Sequence, residues 1–345
     1  MELTNAQLDA EIIALEARRT KPQRGRLKLM PFNSISLSTD RRYLVKGLIP
    51  YPGLTVIWGP PKSGKSFWTL DLAMHVALGR KYRGKRVQQG PVVYCCFEGQ
   101  SGISARAEAF RQRYLPEDCD VPLYLQPAPM DLIREHPDLM AAISDLGEVP
   151  TCVVLDTLNR SLNGSENSDE DMGAYIKATD AIREAFDCSV LVVHHCGIND
   201  SRPRGHTSLT GAADARLAVT RDAAKNILVE VEFMKDGDSS EIVVSTLESI
   251  EVGVDEDGDV ITSCVIVPSE TVPSEHRGTR LTPNQQTMLD VLIRAGRPLT
   301  SDEWTDKGTE AGLGGKRRAW AWDLRIALLK KGLVYEGVNG WSPNL

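Results

Sequence analysis

Eight consecutive residues, 59–66, have the types and spacing that bind the phosphates of a nucleotide. They match the pattern G-x-x-x-x-G-K-[ST], between an apolar run that predicts a buried strand and a segment with helical apolar spacing. The glycines let backbone N–H groups and the positive end of the helix point at phosphate oxygens. Lys65 would reach the β- and γ-phosphates, and the Ser66 hydroxyl would hold Mg²⁺. We therefore predict ATP and Mg²⁺ as cofactors, bound by Gly59, Pro60, Pro61, Lys62, Ser63, Gly64, Lys65, Ser66 and Phe67.

Three further polar residues each follow an apolar run that predicts a buried strand. Asp156 is the predicted carboxylate for Mg²⁺, although an Asp at a strand end can also serve as a cap. Glu98 is placed to orient and deprotonate an attacking water. His194 and His195 end a third run, and one of them could be a buried core histidine. Because ligands bind at the carboxyl edge of such sheets, we predict one catalytic group: Glu98, Lys65, Asp156 and His195.

These side chains need a sheet that brings strand ends together. Continuous apolar runs at 91–97, 151–155 and 188–193 alternate with helical patterns at 103–114, 137–146 and 170–186. Hairpin-like strands then follow at 217–220, 227–233, 241–247 and 260–267. The sequence therefore predicts an α/β core with a mostly parallel sheet and a β-rich end.

The predicted domain organisation adds smaller units on both sides of this core. An N-terminal helix at 6–18 has apolar residues on one face and precedes a basic linker, and it packs on its own core or on a neighbouring subunit. After a polar linker, three helices and a short hairpin form the winged-helix pattern. The units are 1–30 (helix and linker), 31–268 (ATPase domain), 269–280 (linker) and 281–345 (winged helix).

Composition limits the function classes. The 345 residues are 41% hydrophobic and 25% charged, as in an ordinary soluble protein. We expect no membrane span and a cytoplasmic location, since the first twenty residues are too charged for a signal peptide. The seven cysteines form no C-x-x-C pair, which argues against zinc and structural disulfides. A net charge of −7 argues against a protein that coats nucleic acid with its whole surface, but it allows a local basic channel.

Two segments are candidates for contact with DNA. The polar segment 197–208 carries Arg202 and Arg204 beyond the predicted strand that ends at His195, and the alternative is a solvated surface loop. The second candidate is the third helix of the winged-helix unit, because that helix enters the major groove in helix-turn-helix proteins. Its basic residues include Arg325, and docking of a protein is an equal alternative. The predicted DNA-binding residues are Arg202, Arg204, Lys316, Arg317 and Arg318.

Taken together, these motifs resemble the RecA-like ATPases typified by the plasmid RepA hexameric replicative helicases, and more distantly the DnaB-type helicases. The resemblance covers residues 44–248 and rests on the segments 43–49, 59–66 and 97–99, on Asp156, on His194-His195 and on Arg204-Gly205. It implies a RecA-like P-loop core and a hexameric ring that binds ATP between subunits and moves single-stranded DNA through its hole.

The resemblance also implies roles for single residues. Glu98 matches the catalytic glutamate, Asp156 the Walker B aspartate and His195 the γ-phosphate sensor. Relatives of the DnaB type carry a Lys-x-Arg finger that reaches into the ATP of the next subunit. The segment at that place here is Phe-Met-Lys-Asp-Gly, so the candidates for the finger are Lys235, Arg216 and Arg221.

Several functions are compatible with the sequence. The first is an ATP-dependent DNA motor, a hexameric replicative helicase of a plasmid, phage or mobile element. Its partners would be single-stranded DNA, further copies of the chain and an origin-binding or loader protein. The alternatives are a RecA- or RadA-like recombination ATPase and a nucleotide-switched DNA-binding regulator. Glu98 favours hydrolysis over a passive switch.

Overall fold

A computed structural model describes residues 30–34, 43–116, 119–197, 203–239, 241–269, 281–314, 319–330, 333–337 and 340–344. The predicted N-terminal helix, most of the predicted linker at 269–280, and Arg202, Lys316, Arg317 and Arg318 lie outside these residues. In the part of the chain that is described, no helix combines the length and the apolar character needed to cross a membrane.

The described residues contain a nine-stranded central sheet. Its strands are β3 (Gly53–Gly59), β4 (Val92–Cys96), β5 (Leu123–Gln126), β6 (Cys152–Asp156), β7 (Ser189–His195), β8 (Ala215–Arg221), β9 (Ile227–Met234), β10 (Ile242–Val254) and β11 (Val260–Pro268). A small separate pair consists of β1 (Tyr43–Val45) and β2 (Ile49–Pro50). The spatial order in the central sheet is β11-β10-β9-β8-β3-β7-β6-β4-β5. Six neighbouring strands are parallel, namely β8, β3, β7, β6, β4 and β5, whereas β9, β10 and β11 extend the sheet beyond β8 with antiparallel pairing. The predicted α/β fold with a mostly parallel sheet is therefore confirmed.

Helices cover both faces of this sheet. They are α1 (Lys65–Leu78), α2 (Ile103–Tyr114), α3 (Leu132–Asp145), α4 (Leu158–Ser161), α5 (Asp169–Phe186) and α6 (Ser208–Ala212). Successive residues of a strand point to opposite faces, so Ile57 of β3 packs with the core under α1 and α2. Its neighbours Val56 and Trp58 pack with the core under α3 and α5. Burial on both faces explains why the parallel strands are continuous apolar runs.

Helix α3 begins earlier than the sequence predicted. The pattern placed its start at Pro137, since proline breaks helix interiors. The structure starts the helix at Leu132, where the side chain of Asp131 accepts a hydrogen bond from the backbone N–H of Ile133. Leu132 is fully buried, and this packing together with the cap outweighs the hydrogen bond lost at Pro137. The short elements α4, α6, β1, β2 and β5 were not predicted.

The C-terminal residues form a unit with a hydrophobic core of its own. Helices α7 (Pro283–Ala295), α8 (Ser301–Glu310) and α9 (Trp320–Lys330) precede a hairpin of β12 (Val334–Gly337) and β13 (Gly340–Pro343). Trp304 is fully buried and donates its indole N–H to the carbonyl of Met288 at 2.8 Å. Capping boxes start both α7 and α8, which explains their well-defined first turns.

Arg325, which the sequence placed on the helix that would contact DNA, is buried within the C-terminal unit. Its guanidinium donates to the carbonyl of Ser301 at 2.9 Å and to the hydroxyl of Thr305 at 2.7 Å. Burial lowers the pKa of Arg325, which still remains a cation. Arg325 therefore ties α9 to α8 and does not face a DNA groove. The exposed face of α9 carries Trp322 and Leu329 instead.

Candidate nucleotide-hydrolysis site

The loop at 59–66, called the phosphate loop below, joins the end of β3 to the start of α1. Gly59 needs to be glycine because a Cβ there would lie 2.0 Å from the carbonyl oxygen of Val219 in β8. Gly64 has φ +98°, a left-handed conformation that L side chains rarely adopt. A Cβ on Gly64 would also lie 2.5 Å from Cδ1 of Ile227. Both glycines thus allow the loop to lie tightly against the neighbouring strands.

The end of the phosphate loop fits an anion. Helix α1 begins without a side-chain cap and without an acidic residue in its first turn. The first N–H groups of a helix have no partner within the helix. In addition, the hydroxyl of Ser63 is buried and has no hydrogen-bond partner among the described residues. Phosphate oxygens would satisfy both groups of donors.

Lys65 is the cation of this loop. Its side chain is almost fully buried, and its ammonium group donates to the carbonyls of Gly59 and Pro60, both at 2.9 Å. Burial lowers the pKa of Lys65, while the nearby carboxylates of Asp156 and Glu98 oppose this effect. The exposed remainder of the loop, Pro61 and Lys62, forms its outer wall.

Asp156 and Ser66 lie together where Mg²⁺ would be held. The hydroxyl of Ser66 donates to Oδ1 of Asp156 at 3.2 Å, and the hydroxyl of Tyr94 donates to Oδ2 at 2.7 Å. Asp156 is almost fully buried, and this burial raises its pKa, whereas the bonds from Tyr94 and Ser66 lower it. A carboxylate and a hydroxyl beside a phosphate-binding loop are the donor set that Mg²⁺ takes. When bound there by Asp156 and Ser66, Mg²⁺ would neutralise charge on the phosphates.

Glu98 is held next to this pair by two neighbours. Its Oε2 accepts a hydrogen bond from the hydroxyl of Thr157 at 3.2 Å and lies 3.6 Å from Nε2 of His195. The carboxylate is 45% exposed, so water can reach it. Strand register explains the grouping, because Asp156 pairs with a residue of β4 on one side and of β7 on the other. The sheet therefore brings all four predicted catalytic residues to one edge.

The two adjacent histidines have different surroundings. His194 is fully buried, and its Nε2 lies 2.7 Å from the carbonyl oxygen of Arg204. Burial lowers the pKa of His194, which favours the neutral ring. His195 is 26% exposed and faces Glu98. The core-histidine alternative thus describes His194, whereas His195 lies beside Glu98 at the open edge of the site.

Comparisons with known proteins show the family of this chain. A family model described as "AAA domain" matches residues 22–201, which is just over half of the chain and includes the phosphate loop, Glu98, Asp156 and His195. The chain belongs to the AAA domain family. It is therefore a P-loop ATPase.

A search of solved structures matched this AAA domain protein to a crystal structure of the RadB recombinase. The two share 13% sequence identity, with a TM-score of 0.42 over 58% of this chain and 90% of the other. At this TM-score, the likeness carries no argument about function. No curated protein matched the sequence.

Three residues at the site of the AAA domain were missed by the sequence prediction. Tyr94 and Thr157 hold the carboxylates of Asp156 and Glu98, as described above. The third is Arg106 of α2, whose guanidinium lies 4.5 Å from the ring centre of Phe67 and helps to lower the pKa of Asp156. Only Tyr94 had a signal in the sequence, because a tyrosine inside a buried strand needs a partner for its hydroxyl.

The three finger candidates lie in different parts of the sheet. Arg221 ends β8 beside the phosphate loop of its own chain, with Nη2 3.8 Å from the Cβ position of Gly64. Arg216 is near the start of the same strand, where its guanidinium packs on the ring of Phe233. Lys235 follows β9, which runs antiparallel to β8, and therefore lies at the edge away from the loop. At that edge, Nζ of Lys235 pairs with Oδ1 of Asp214 at 3.5 Å.

Arg204 lies at the same edge of the sheet as the nucleotide site. Its backbone N–H donates to the carbonyl of His195 at 2.9 Å, so Arg204 lies against the end of β7. The guanidinium is 57% exposed and pairs with Glu166 at 2.9 Å. Arg204 was predicted to bind DNA, and its exposed position is compatible with contact to a phosphate.

Proposed function

We propose that this AAA domain protein is an ATP-driven motor that moves on single-stranded DNA, as a hexameric replicative helicase does. The observation that carries the proposal is the contact between His195 and Glu98, because the same strand end is bonded directly to the backbone of Arg204. A residue that senses the γ-phosphate is thereby joined to an exposed cation. Such a connection is what a motor needs and what a passive nucleotide switch without hydrolysis does not need.

In this proposal the residues of the site divide the work of hydrolysis. The phosphate loop binds ATP, and Lys65 exchanges its two carbonyl partners for phosphate oxygens. Ser66 and Asp156 hold Mg²⁺. Glu98 is partly exposed, so the attacking water can approach it, and its carboxylate accepts a proton from that water. The hydrogen bond from Thr157 fixes the direction of this carboxylate. His195 detects the loss of the γ-phosphate from its position beside Glu98.

Contact with DNA and assembly complete the proposal. A ring of six copies would place Lys235, or else Arg216 or Arg221, at the nucleotide of the next subunit. The segment with Arg202 and Arg204 would line the hole and bind DNA phosphates. The C-terminal unit, in winged-helix order, would recruit the motor to an origin or a loader protein. Lys316, Arg317 and Arg318 are its proposed contacts with DNA.

The first test is ATP hydrolysis by the purified protein with and without single-stranded DNA. The Lys65→Ala variant supplies the blank, and Glu98→Gln should bind ATP but hydrolyse it slowly because the base for water is lost. We expect single-stranded DNA to stimulate the wild-type protein several-fold. Hydrolysis that is indifferent to DNA in the wild type would count against the motor and favour the regulator.

A second test separates a helicase from a recombinase. A helicase should unwind a forked duplex in the presence of ATP and form closed rings in electron micrographs. Filaments on single-stranded DNA, together with a failure to unwind the fork, would instead indicate a RecA- or RadA-like recombination ATPase. Normal turnover by Lys65→Ala would contradict the assignment of the phosphate loop itself.

A further inference from the structure

A buried carboxylate holds the exposed arginine that follows the sensor strand. The Nε atom of Arg204 lies 2.9 Å from Oε2 of Glu166. The exposed fractions of the two side chains are 57% for Arg204 and 6% for Glu166. Oε2 accepts no hydrogen bond from the described residues, so the contact is an ion pair with a poor bonding angle. The arginine is therefore held by charge, and most of its guanidinium still faces solvent.

Glu166 is fixed in place from several directions. Its Oε1 accepts a hydrogen bond from the side-chain amide of Asn159 at 2.9 Å. Its backbone carbonyl accepts a hydrogen bond from the N–H of His206 at 2.7 Å. Gly205 passes so close that a Cβ there would lie 2.4 Å from the same carbonyl oxygen. The carboxylate is thus a rigid partner, whereas the arginine is the part of the pair that can move.

The pair is joined to the ATP site through the backbone of Arg204. The N–H of Arg204 donates to the carbonyl of His195, and its carbonyl oxygen lies 2.7 Å from Nε2 of the buried His194. His195 in turn faces Glu98. The backbone of Arg204 is therefore fixed next to the strand end that carries His195, and Glu166 holds the direction of the mobile guanidinium.

We propose that Glu166 is a positioning residue that holds the guanidinium of Arg204 and yields it to a phosphate of single-stranded DNA. Carboxylates and phosphates are the two anions that the planar guanidinium binds best, so one can replace the other. Glu166 lowers the affinity for DNA, because each binding event must first break the ion pair. This inference rests on the proposed function, since it concerns the DNA that the motor would bind.

The test measures binding of fluorescently labelled oligodeoxythymidylate to the full chain, at several salt concentrations and with a non-hydrolysable ATP analogue present. Glu166→Gln keeps the size of the side chain and an acceptor for Asn159, but it removes the charge that holds Arg204. We expect this variant to bind the oligonucleotide up to about fivefold more tightly, because only the wild type must first break an ion pair, and this pair involves a largely exposed arginine. A merely structural role of Glu166 predicts weaker binding instead.

Two further variants show whether the gain depends on Arg204. In the Arg204→Ala background, binding should be weaker, its logarithmic salt slope should fall by about 0.7, and Glu166→Gln should add nothing. The matched control is Glu170→Gln, which removes the same charge from an exposed neighbouring position. We expect this control to bind less than about twofold more tightly, since only general electrostatics change. An equal gain in the control would overturn the proposal.

The outcomes separate this inference from the proposed function. If neither the wild type nor Glu166→Gln binds the oligonucleotide, the proposed DNA motor fails. If the wild type binds and Glu166→Gln binds equally or more weakly with an unchanged melting temperature, only the role of Glu166 fails. Should Glu166→Gln not fold, Glu166→Asp tests the same point. Its shortened carboxylate should release Arg204 in part and tighten binding about threefold, and an unchanged affinity would overturn the proposal.

Discussion

Removal of the Tyr94 hydroxyl tests how the buried carboxylate of Asp156 is kept ionised. In the structure, Oδ2 of Asp156 accepts the Tyr94 bond at 2.7 Å and Oδ1 accepts the longer Ser66 bond at 3.2 Å. Burial raises the pKa of Asp156, and the bond from Tyr94 is the largest of the effects that oppose it. The Tyr94→Phe variant should therefore raise the pKa of Asp156 further.

The size of the effect follows from the type of bond. A hydrogen bond to a charged group contributes about 1.5–3 kcal/mol, and the lower figure corresponds to about a tenfold change in an equilibrium constant. The lost bond favours the protonated carboxyl, which competes with Mg²⁺ for the same oxygens. Since protonation grows as the pH falls, the variant should need up to about tenfold more Mg²⁺ than the wild type at the low-pH end of the assay, and this difference should shrink as the pH rises.

The assay is steady-state ATP hydrolysis with Mg²⁺ varied at each pH and ATP held saturating. The matched control is Tyr175→Phe, which removes an equally buried hydroxyl that contacts Ser161 instead of Asp156. That control should lose some stability and keep the wild-type Mg²⁺ requirement at every pH. A Tyr94→Phe variant with the same Mg²⁺ requirement as the wild type at low pH would refute the reasoning.

Three further predictions concern other contacts. Thr157→Val removes the donor to Glu98, so kcat should fall about fivefold with little change in the KM for ATP, as measured by steady-state kinetics. Burial raises the pKa of Asp71 to about 7, against the effect of Arg83, so this carboxyl favours the folded state below its ordinary pKa and loses that contribution as the pH rises to about 7. In the wild type, this carboxyl should therefore lower the free energy of unfolding by about 4 kcal/mol between about pH 4 and 8. Asp71→Asn should remove this decrease, as measured by urea unfolding at each pH. Arg325→Met should destabilise the C-terminal unit by about 2 kcal/mol in thermal unfolding, whereas a DNA-reading arginine would affect DNA affinity and leave stability unchanged.

The sequence predicted the sheet and its functional edge because both depend on local patterns. Buried parallel strands leave continuous apolar runs, and Glu98, Asp156 and His195 each stand directly after such a run. Parallel pairing then places these residues at one edge whatever the details of the loops. The start of α3 could not be predicted in the same way, since it depends on a cap and on burial of Leu132 that override a proline.

Hydrogen bonds that join side chains to distant segments of the chain could not be predicted from the sequence. Thr157 donates to a carboxylate 59 residues away, and Arg325 is buried because its guanidinium finds two acceptors on another helix. A helical pattern shows which residues share a face, but it does not show whether that face is covered. For that reason the sequence could place Arg325 on the third helix with the other basic residues, but it could not show that this guanidinium is covered.

The contacts of Arg204 allow its two roles to be examined separately. Its backbone is bonded to His195 and lies next to the buried ring of His194, whereas its guanidinium reaches only Glu166 among the described residues. Truncation of the side chain therefore leaves the backbone connection between the sensor strand and the loop in place. A loss of DNA affinity in Arg204→Ala would report on the guanidinium alone. A change at Glu166 acts on that same guanidinium and not on the strand, so both variants address recognition of phosphate rather than sensing of ATP.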